Sequence, residues 1–392
     1  MADKAYITPG VLKWARESAR MTEEVAAAKV PTTIERVKEW ETGISQPSIS
    51  QAQKLAKAYK RPFAVLFLPE PPRDFQTLQD FRTKDSKLLS TSSIFIIREI
   101  QQKQAWISEA NKENREAKSS FVGKFTTRDN PVDVSKDILF TLGINPANYS
   151  TNNPIKEWID KAESKGIFIS RTSFIHSRLK LDSDELQGFA IADPYAPFIF
   201  INSDDWSAPQ LFTLVHELAH IWIAASGVSN NIESDLTYKD RLHPIELFCN
   251  EVAANALIPF EIINNNQSTA FKSAKELFEH SKKLGVSSFA FLVRALNLNL
   301  ISSEKYKSLK QAADAEYKAF LKREEEKKVI QQAKKGDTGP SYYLLQLNKN
   351  SRLFTQTVLD AFRGGFIEPT LASTLLNVQV NKFHKLEAQL YK

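Results

Sequence analysis

The chain has 392 residues, 42% of them apolar and 10% aromatic, with a net charge of +6 and a pI near 9.0. That length exceeds what one core usually serves, so two or three domains are expected, and a single cysteine, Cys249, excludes disulfides within the chain and fits a reducing compartment. No apolar run of about 18 residues, no signal-peptide core after Met1 and no glycine-rich phosphate loop is present, which predicts a soluble cytoplasmic protein with no membrane role and leaves nucleotide chemistry without support.

In chain order, helices are predicted over 8–19, 22–28, 32–40 and 48–59. Thr22 is placed to cap the second, with Glu23 and Glu24 in the first turn where the helix dipole favours anions. Gly43 ends the third and Pro62 follows the fourth. Val25, Ile34, Val37, Trp40, Leu55, Ala56 and Tyr59 supply a small core. The frame Thr22-Glu-Glu-Val-Ala, Thr33-Ile34, Trp40-Glu41-Thr42-Gly43, Gln46-Pro47-Ser48, Leu55-Ala56 and Tyr59 resembles an Xre-type helix-turn-helix domain. The resemblance implies that the third helix enters the major groove, with Thr32, Thr33 and Arg36 as base readers and operator DNA as the partner of residues 1–72. Against that, Glu35, Glu39 and Glu41 lie on or beside the same helix. Residues 1–72 carry 11 Lys/Arg against 8 Asp/Glu, a net of only +3, where duplex binders neutralise several phosphates. A protein-docking or dimerising module is the other reading of this region.

A short apolar helix is predicted over 63–72. Further helices are predicted over 94–116, 134–142 and 154–165, the last two stopped by Gly143 and Gly166, with a polar break at 123–130. Strands are predicted over 167–170, 188–192 and 198–202. One of the last two is expected at a cleft rim, taking up extended substrate by strand addition, with a plain buried strand as the other reading.

The next stretch reads Thr213-Leu214-Val215-His216-Glu217-Leu218-Ala219-His220-Ile221-Trp222. Between Ala208 and Gly227 the only charged residue is Glu217, so a buried helix carrying three polar groups is expected, and buried polar groups need partners. An ordinary surface helix with two solvated histidines would leave those apolar flanks unexplained. His216 and His220 stand four apart, share a helix face, and can offer two imidazoles to one metal. Zinc takes neutral imidazole at roughly 2.0–2.1 Å and is usually four-coordinate. Glu217 flanks the first ligand, the place for a general base acting on water held by the metal. A histidine six residues after His220 would suggest a metzincin, but Ser226 stands there. A helix between Pro244 and Pro259 offers two carboxylates as third ligand. Glu246 has Asn250 one turn on, where an amide could orient it. Glu251 sits in Asn-Glu-x-x-Ala, like the glutamate helix of thermolysin-like enzymes.

The run Phe212-Thr213-Leu214-Val215-His216-Glu217-Leu218-Ala219-His220, followed by Glu246, Asn250, Ala253, Ala254, Leu257 and Pro259, resembles the ImmA/IrrE family of metallopeptidases. The resemblance implies Glu246 as third zinc ligand beside His216 and His220, with Glu217 catalytic. Asn250 and His243 are expected around the ligands, and His243, Tyr238 and Arg241 are available as oxyanion donors. Pro71-Pro72 and Asp80-Phe81-Arg82 match the linker of chains that fuse an Xre domain to this peptidase. The implied activity is zinc endopeptidase, with a repressor-like DNA-binding protein as substrate. The alternative is a transcriptional regulator or antitoxin whose peptidase-like domain binds a toxin partner without turnover.

Residues 228–242 are polar and read as a lid or a partner-binding flap. Two helices are predicted within 270–300, the second starting at Val286-Ser287 and carrying Arg294. Residues 303–335, with 10 Lys/Arg and 6 Asp/Glu, read as one long solvated connector helix. Residues 341–390 form a last helical module turned by Gly364-Gly365. The fold class expected is α+β, in a mainly helical multidomain chain. Its parts are a five-helix helix-turn-helix domain at 1–72, a linker and helix at 73–130, a zincin-like domain with a small three-stranded sheet at 131–302, and the long helix with the C-terminal module at 303–392.

Overall fold

The computed structural model describes residues 3–72, 78–80, 88–176, 179–229, 243–335 and 341–392. The chain divides into two compact units. The first comprises Met1–Thr77, Lys87–Gln101 and Phe174–Lys180; the second comprises Leu78–Ser86, Gln102–Ser173 and Leu181–Lys392. The described strands are β1 (Gln79–Asp80), β2 (Phe168–Thr172), β3 (Phe174–His176), β4 (Leu179–Lys180), β5 (Gly188–Ile191), β6 (Phe198–Asn202) and β7 (Gly227–Ser229). The architecture is α+β, and no helix among the described residues is long and apolar enough to cross a membrane.

The first unit is built on α1 (Pro9–Ser18), α2 (Glu23–Lys29), α3 (Ile34–Thr42) and α4 (Ile49–Ala58), followed by a 3-10 turn, Phe63–Phe67, in place of the longer helix predicted there. Local chemistry starts and stops each element. Thr22 and Thr33 accept from the backbone N–H of Val25 and Arg36 at 3.4 and 3.3 Å. Ser48 and Gln51 form a reciprocal capping box at the start of α4. Gly43, at φ +82°, ends α3 in the left-handed conformation that a residue without Cβ adopts freely. Val11, Leu12, Ala15, Val37, Leu55, Tyr59 and Leu66 fill the core. Val25, predicted for that core, is 43% exposed; α2 turns Ala26 and Ala27 inward instead, small residues that let neighbouring helices approach closely. Arg16 is buried on α1 and donates from Nε and Nη2 to both oxygens of Glu41 on α3 at 2.7 and 2.8 Å, and from Nη1 to the Met21 carbonyl at 2.9 Å. A buried pair of this kind is strongly destabilised by losing either partner. The β3–β4 ribbon and the start of α5 (Thr91–Glu113) complete the unit.

In the second unit a five-stranded sheet has the order β1-β7-β5-β6-β2, where three strands were expected. Strand β6 pairs in parallel with β2 and antiparallel with β5; β7 pairs antiparallel with β5 and parallel with β1. The two extra strands are two and three residues long, too short to show alternation in the sequence. Both β5 and β6 are therefore interior strands with their ladders filled on either side. The predicted role for one of them, strand addition to a substrate at a rim, is not open to them.

Alternation sorts the sheet into two faces. Ile169, Ala190, Ile199 and Ile201 join a continuous core with α6 (Pro131–Leu142), α7 (Pro154–Glu163) and α8 (Ser207–Trp222). On the other face Phe168 stacks on Phe198 and Phe189 on Phe200, and Phe198 meets Phe354 edge-on. Phe354 belongs to α15 (Arg352–Arg363), which with α14 (Tyr342–Asn350) covers that side. Helices α9 (Pro244–Leu257), α10 (Phe260–Ala270), α11 (Ala274–Leu284) and α12 (Ser288–Asn297) extend the core beyond α8. The helix α10 escapes sequence reading because Ile262-Ile-Asn-Asn-Asn266 is a poor helix former; burial of Ile263 and Ala270 overrides that. The long helix α13 (Ser303–Lys335) is not solvated throughout, since Tyr306 and Leu309 are buried near α11 and α12 at its start. The last two helices are α16 (Pro369–Leu376) and α17 (Phe383–Leu390). The C-terminal helices thus belong to the same unit as the sheet. Beyond Ser229 the predicted polar loop lies outside the described residues, with Tyr238 and Arg241; so do Phe81 and Arg82 of the linker signature.

The join between α7 and α15 is polar and buried. The Glu163 carboxylate accepts from Ser351 Oγ at 2.6 Å and from the backbone N–H of Arg352 at 3.1 Å, at the first turn of α15. Burial raises its pKa to about 7, and these donors oppose the rise. A carboxyl raised in the folded state contributes stability that is complete below its unfolded pKa of about 4.3 and is lost as pH rises through about 7. Replacing it with Gln keeps an acceptor and removes the titration. Urea unfolding of Glu163→Gln should therefore lose up to ~1.4 kcal/mol per pH unit of the wild-type slope across that window, with the variant gaining on wild type as pH rises.

Candidate metal centre

Every residue of α8 from Gln210 to Trp222 is buried. The helix lies between the sheet on one side and α6 and α9 on the others, which is why its sequence is apolar all round. Its few polar groups are then sorted by helical spacing. Thr213 and Glu217, one turn apart, face β5, where a Cβ placed on Gly188 would lie 2.7 Å from Thr213 Cγ2 and 3.0 Å from Glu217 Oε1. His216 and His220 face α9.

Helix α9 starts at Pro244, whose missing N–H is one the first turn would leave unused. Its first turn carries Glu246, which is 1% exposed. The His216 Nε2 lies 3.1 Å from Glu246 Oε2, His220 Nε2 lies 3.1 Å from Glu246 Oε1, and the two Nε2 atoms are 3.0 Å apart. The three side chains thus form a triangle in which each imidazole nitrogen meets a different oxygen of the one carboxylate. Ligands about 2.0–2.1 Å from a tetrahedral zinc stand roughly 3.3 Å from one another, so the triangle is close to the right size and the donor set is one that zinc prefers. Among the described residues this is the group of histidine, cysteine and carboxylate side chains that could hold a metal ion.

The protonation states suit a cation. Burial would raise the Glu246 carboxyl, but the charge of His216 and hydrogen bonds to both imidazoles outweigh it and hold the group at about 2. Burial lowers the His220 pKa, against the pull of Glu246, which favours the neutral ring. His216 Nδ1 lies 2.9 Å from Asn250 Oδ1. An amide oxygen only accepts, so Nδ1 carries a proton and Nε2 is the nitrogen aimed at Glu246. Asn250 was expected to orient Glu246, four residues before it on α9. It orients the imidazole instead, because α8 and α9 pack side by side and the amide faces across to the neighbouring helix.

The remaining predicted residues are placed as follows. Glu251 is exposed and outside the triangle. His243 is exposed at the N-cap of α9, where its Nδ1 accepts from the Ile245 N–H at 3.3 Å. Cys249 is fully buried, and burial pushes its thiol pKa up, with Glu246 and Glu217 adding to the rise, so it is an unreactive core residue. Arg294 on α12 donates to Asn255 Oδ1 at 2.5 Å and to the Ile258 carbonyl at 3.3 Å, fastening the end of α9. In the first unit Thr33 spends its hydroxyl on the α3 cap, Thr32 is half-buried just before it, and Arg36 is exposed on α3 but pairs with Glu39 at 3.0 Å. Sequence reasoning passed over Gly188 and Thr213. The one available signal was a glycine opening a strand, which often marks a close approach by another group.

Residues 162–296 match the family model of the IrrE N-terminal-like domain, peptidase family M78, and residues 12–66 match that of a helix-turn-helix domain. The chain therefore joins an Xre-type helix-turn-helix domain to an IrrE/ImmA-like, metallopeptidase-like domain, the fusion expected from the sequence. No curated protein matches the chain.

Metal analysis of purified variants checks the triangle. His216→Ala and Glu246→Ala should abolish stoichiometric zinc, Glu251→Ala should retain it, and Asn250→Ala should weaken it by about 10- to 100-fold in competition with a chelator.

Proposed function

We propose that the chain is a zinc-dependent endopeptidase with a regulatory role, acting on a repressor-like DNA-binding protein. The observation that carries this reading is the buried triangle of His216, His220 and Glu246 with Glu217 on the next face of the same helix. The two imidazoles and the Glu246 carboxylate would hold the ion. Zinc in such a site polarises the scissile carbonyl and makes water a nucleophile near neutral pH. Glu217 takes the proton from the attacking water and delivers it to the leaving amine nitrogen. Asn250 keeps the His216 ring in the tautomer that binds metal. No serine or cysteine nucleophile is required, and the buried thiol of Cys249 is consistent with that. The donor chemistry fits zinc, while manganese or iron can enter such sites according to availability.

Glu217→Gln keeps the size of the side chain and removes its ability to accept a proton. Cleavage of a repressor-like substrate encoded beside this gene should fall by about 10²- to 10⁴-fold, with zinc and fold retained. A reporter strain carrying this allele and wild-type regulation would sink the catalytic reading and favour a regulator or antitoxin that binds a toxin partner without turnover.

Residues 1–72 are assigned to operator DNA, with Thr32, Thr33 and Arg36 as the readers. The reading is supported by the match to a helix-turn-helix domain and by the exposure of Arg36 on α3. The Arg36–Glu39 pair must open on binding, which lowers the net gain. The full chain should shift DNA from upstream of its own gene in a salt-dependent manner, and Arg36→Ala should weaken it by about 1–3 kcal/mol. Binding to a neighbouring gene product without any such shift at low salt would assign α3 to protein docking.

A further inference from the structure

We infer that Gly188 is a positioning residue for Glu217: the missing side chain on β5 sets where the Glu217 carboxylate rests. The inference deepens the reading of Glu217 as proton acceptor and rests on it. Three atoms crowd the place a Cβ would take on Gly188. Thr213 Cγ2 would be 2.7 Å away, Glu217 Oε1 3.0 Å and the Phe200 carbonyl oxygen 3.0 Å.

These neighbours differ in how far they can yield. The Phe200 carbonyl belongs to the β5–β6 ladder, in which Gly188 opposes Ile201 and Phe189 opposes Phe200, so moving it means breaking sheet hydrogen bonds. Thr213 is 4% exposed and β-branched on a helix, with few rotamers to choose from. Glu217 has three side-chain torsions and its oxygen is the far end of them. A methyl group on Gly188 would therefore press on Thr213 as a packing fault and on Glu217 as a displacement. The His216–His220–Glu246 triangle lies on the adjoining face of α8 and is not among the atoms crowding the position. The geometry thus separates three effects, on packing, on the acid–base carboxylate, and on metal binding.

That separation dictates the test. Thr213→Ser removes the Cγ2 atom while keeping the hydroxyl, so Gly188→Ala/Thr213→Ser relieves the closest contact, with Thr213, and leaves those with Glu217 and the Phe200 carbonyl. The probe is acetohydroxamate, added to the full-length protein loaded with cobalt(II). A hydroxamate chelates the metal through two oxygens and hydrogen-bonds to a neighbouring carboxylate, and the cobalt visible spectrum reports its binding without any substrate. Glu217→Gln should weaken acetohydroxamate by about 10- to 100-fold, the loss of a hydrogen bond to a charged group. Gly188→Ala/Thr213→Ser should weaken it in the same direction and by at least about tenfold, while its cobalt affinity stays near that of Thr213→Ser alone.

A double variant that binds the probe like wild type, while Glu217→Gln does not, would overturn the role of Gly188. A Glu217→Gln protein that binds the probe like wild type would instead bring down the reading of Glu217 itself. Should the double variant fail to fold, Gly188→Ala/Thr213→Ala, which clears both γ atoms, takes its place. Failure of both to fold would assign Gly188 to packing and overturn the inference.

Discussion

The complete burial of one helix is the constraint that organises the second unit. Helix α8 has no solvent face between Gln210 and Trp222, so it must be walled on every side by other elements. The sheet supplies one wall through Ala190, Ile199 and Ile201, and α9 and α6 supply others through Cys249, Val252, Val134 and Ile138. Its C-terminal end is fixed by Trp222, which stacks on Phe121 with ring centroids 4.6 Å apart and donates Nε1–H to Asp137 at 2.9 Å. Three ionisable side chains on such a helix would each be heavily penalised if isolated. The fold meets that demand by bringing Glu246 and Asn250 to the two histidines from α9, and by leaving room for Glu217 over the backbone of β5.

The parts of this arrangement that the sequence reveals are those encoded locally. The apolar flanks of the His-Glu-x-x-His run state that α8 is buried, and the i, i+4 spacing states that the imidazoles share a face. The cap at Thr22 marks a helix start because a side-chain oxygen three residues ahead of an N–H is a local event. Strand β6 is legible as an unbroken apolar run, since both its faces are covered. What escapes is set by distant partners. The short strands β7 and β1 exist only because β5 offers an edge to β7 and β7 offers one to β1. Asn250 finds His216 because of how two helices dock. Gly188 matters through what approaches it, and an absent side chain leaves no trace in a hydrophobic pattern. Val25 falls on the wrong side because α2 is only two turns long, where a one-residue error in phase swings the expected face by about 100°.

The first unit answers a different physical problem with a similar device. A unit this small cannot bury much apolar surface, and the core around Leu12, Val37 and Leu55 is joined by a buried ion pair, Arg16 with Glu41, that links α1 to α3. The pair fixes α3 from inside, so the outer side of α3, with Arg36 and Glu35, is held at a defined orientation by a residue that never meets a ligand.

The aromatic face of the sheet has a consequence for how such a chain is assembled. The stretch that matches the peptidase family ends at residue 296, yet Phe168 and Phe198 are covered by Phe354, and the start of α15 is capped by Glu163 from α7. The boundary drawn by family resemblance is thus not a boundary of cooperative stability. An excised fragment ending near residue 300 would present stacked phenylalanines and an uncapped acid to water. The last fifty residues are as much a part of the folding unit as the strands they cover, and a shuffled or truncated relative would need some other apolar lid in their place.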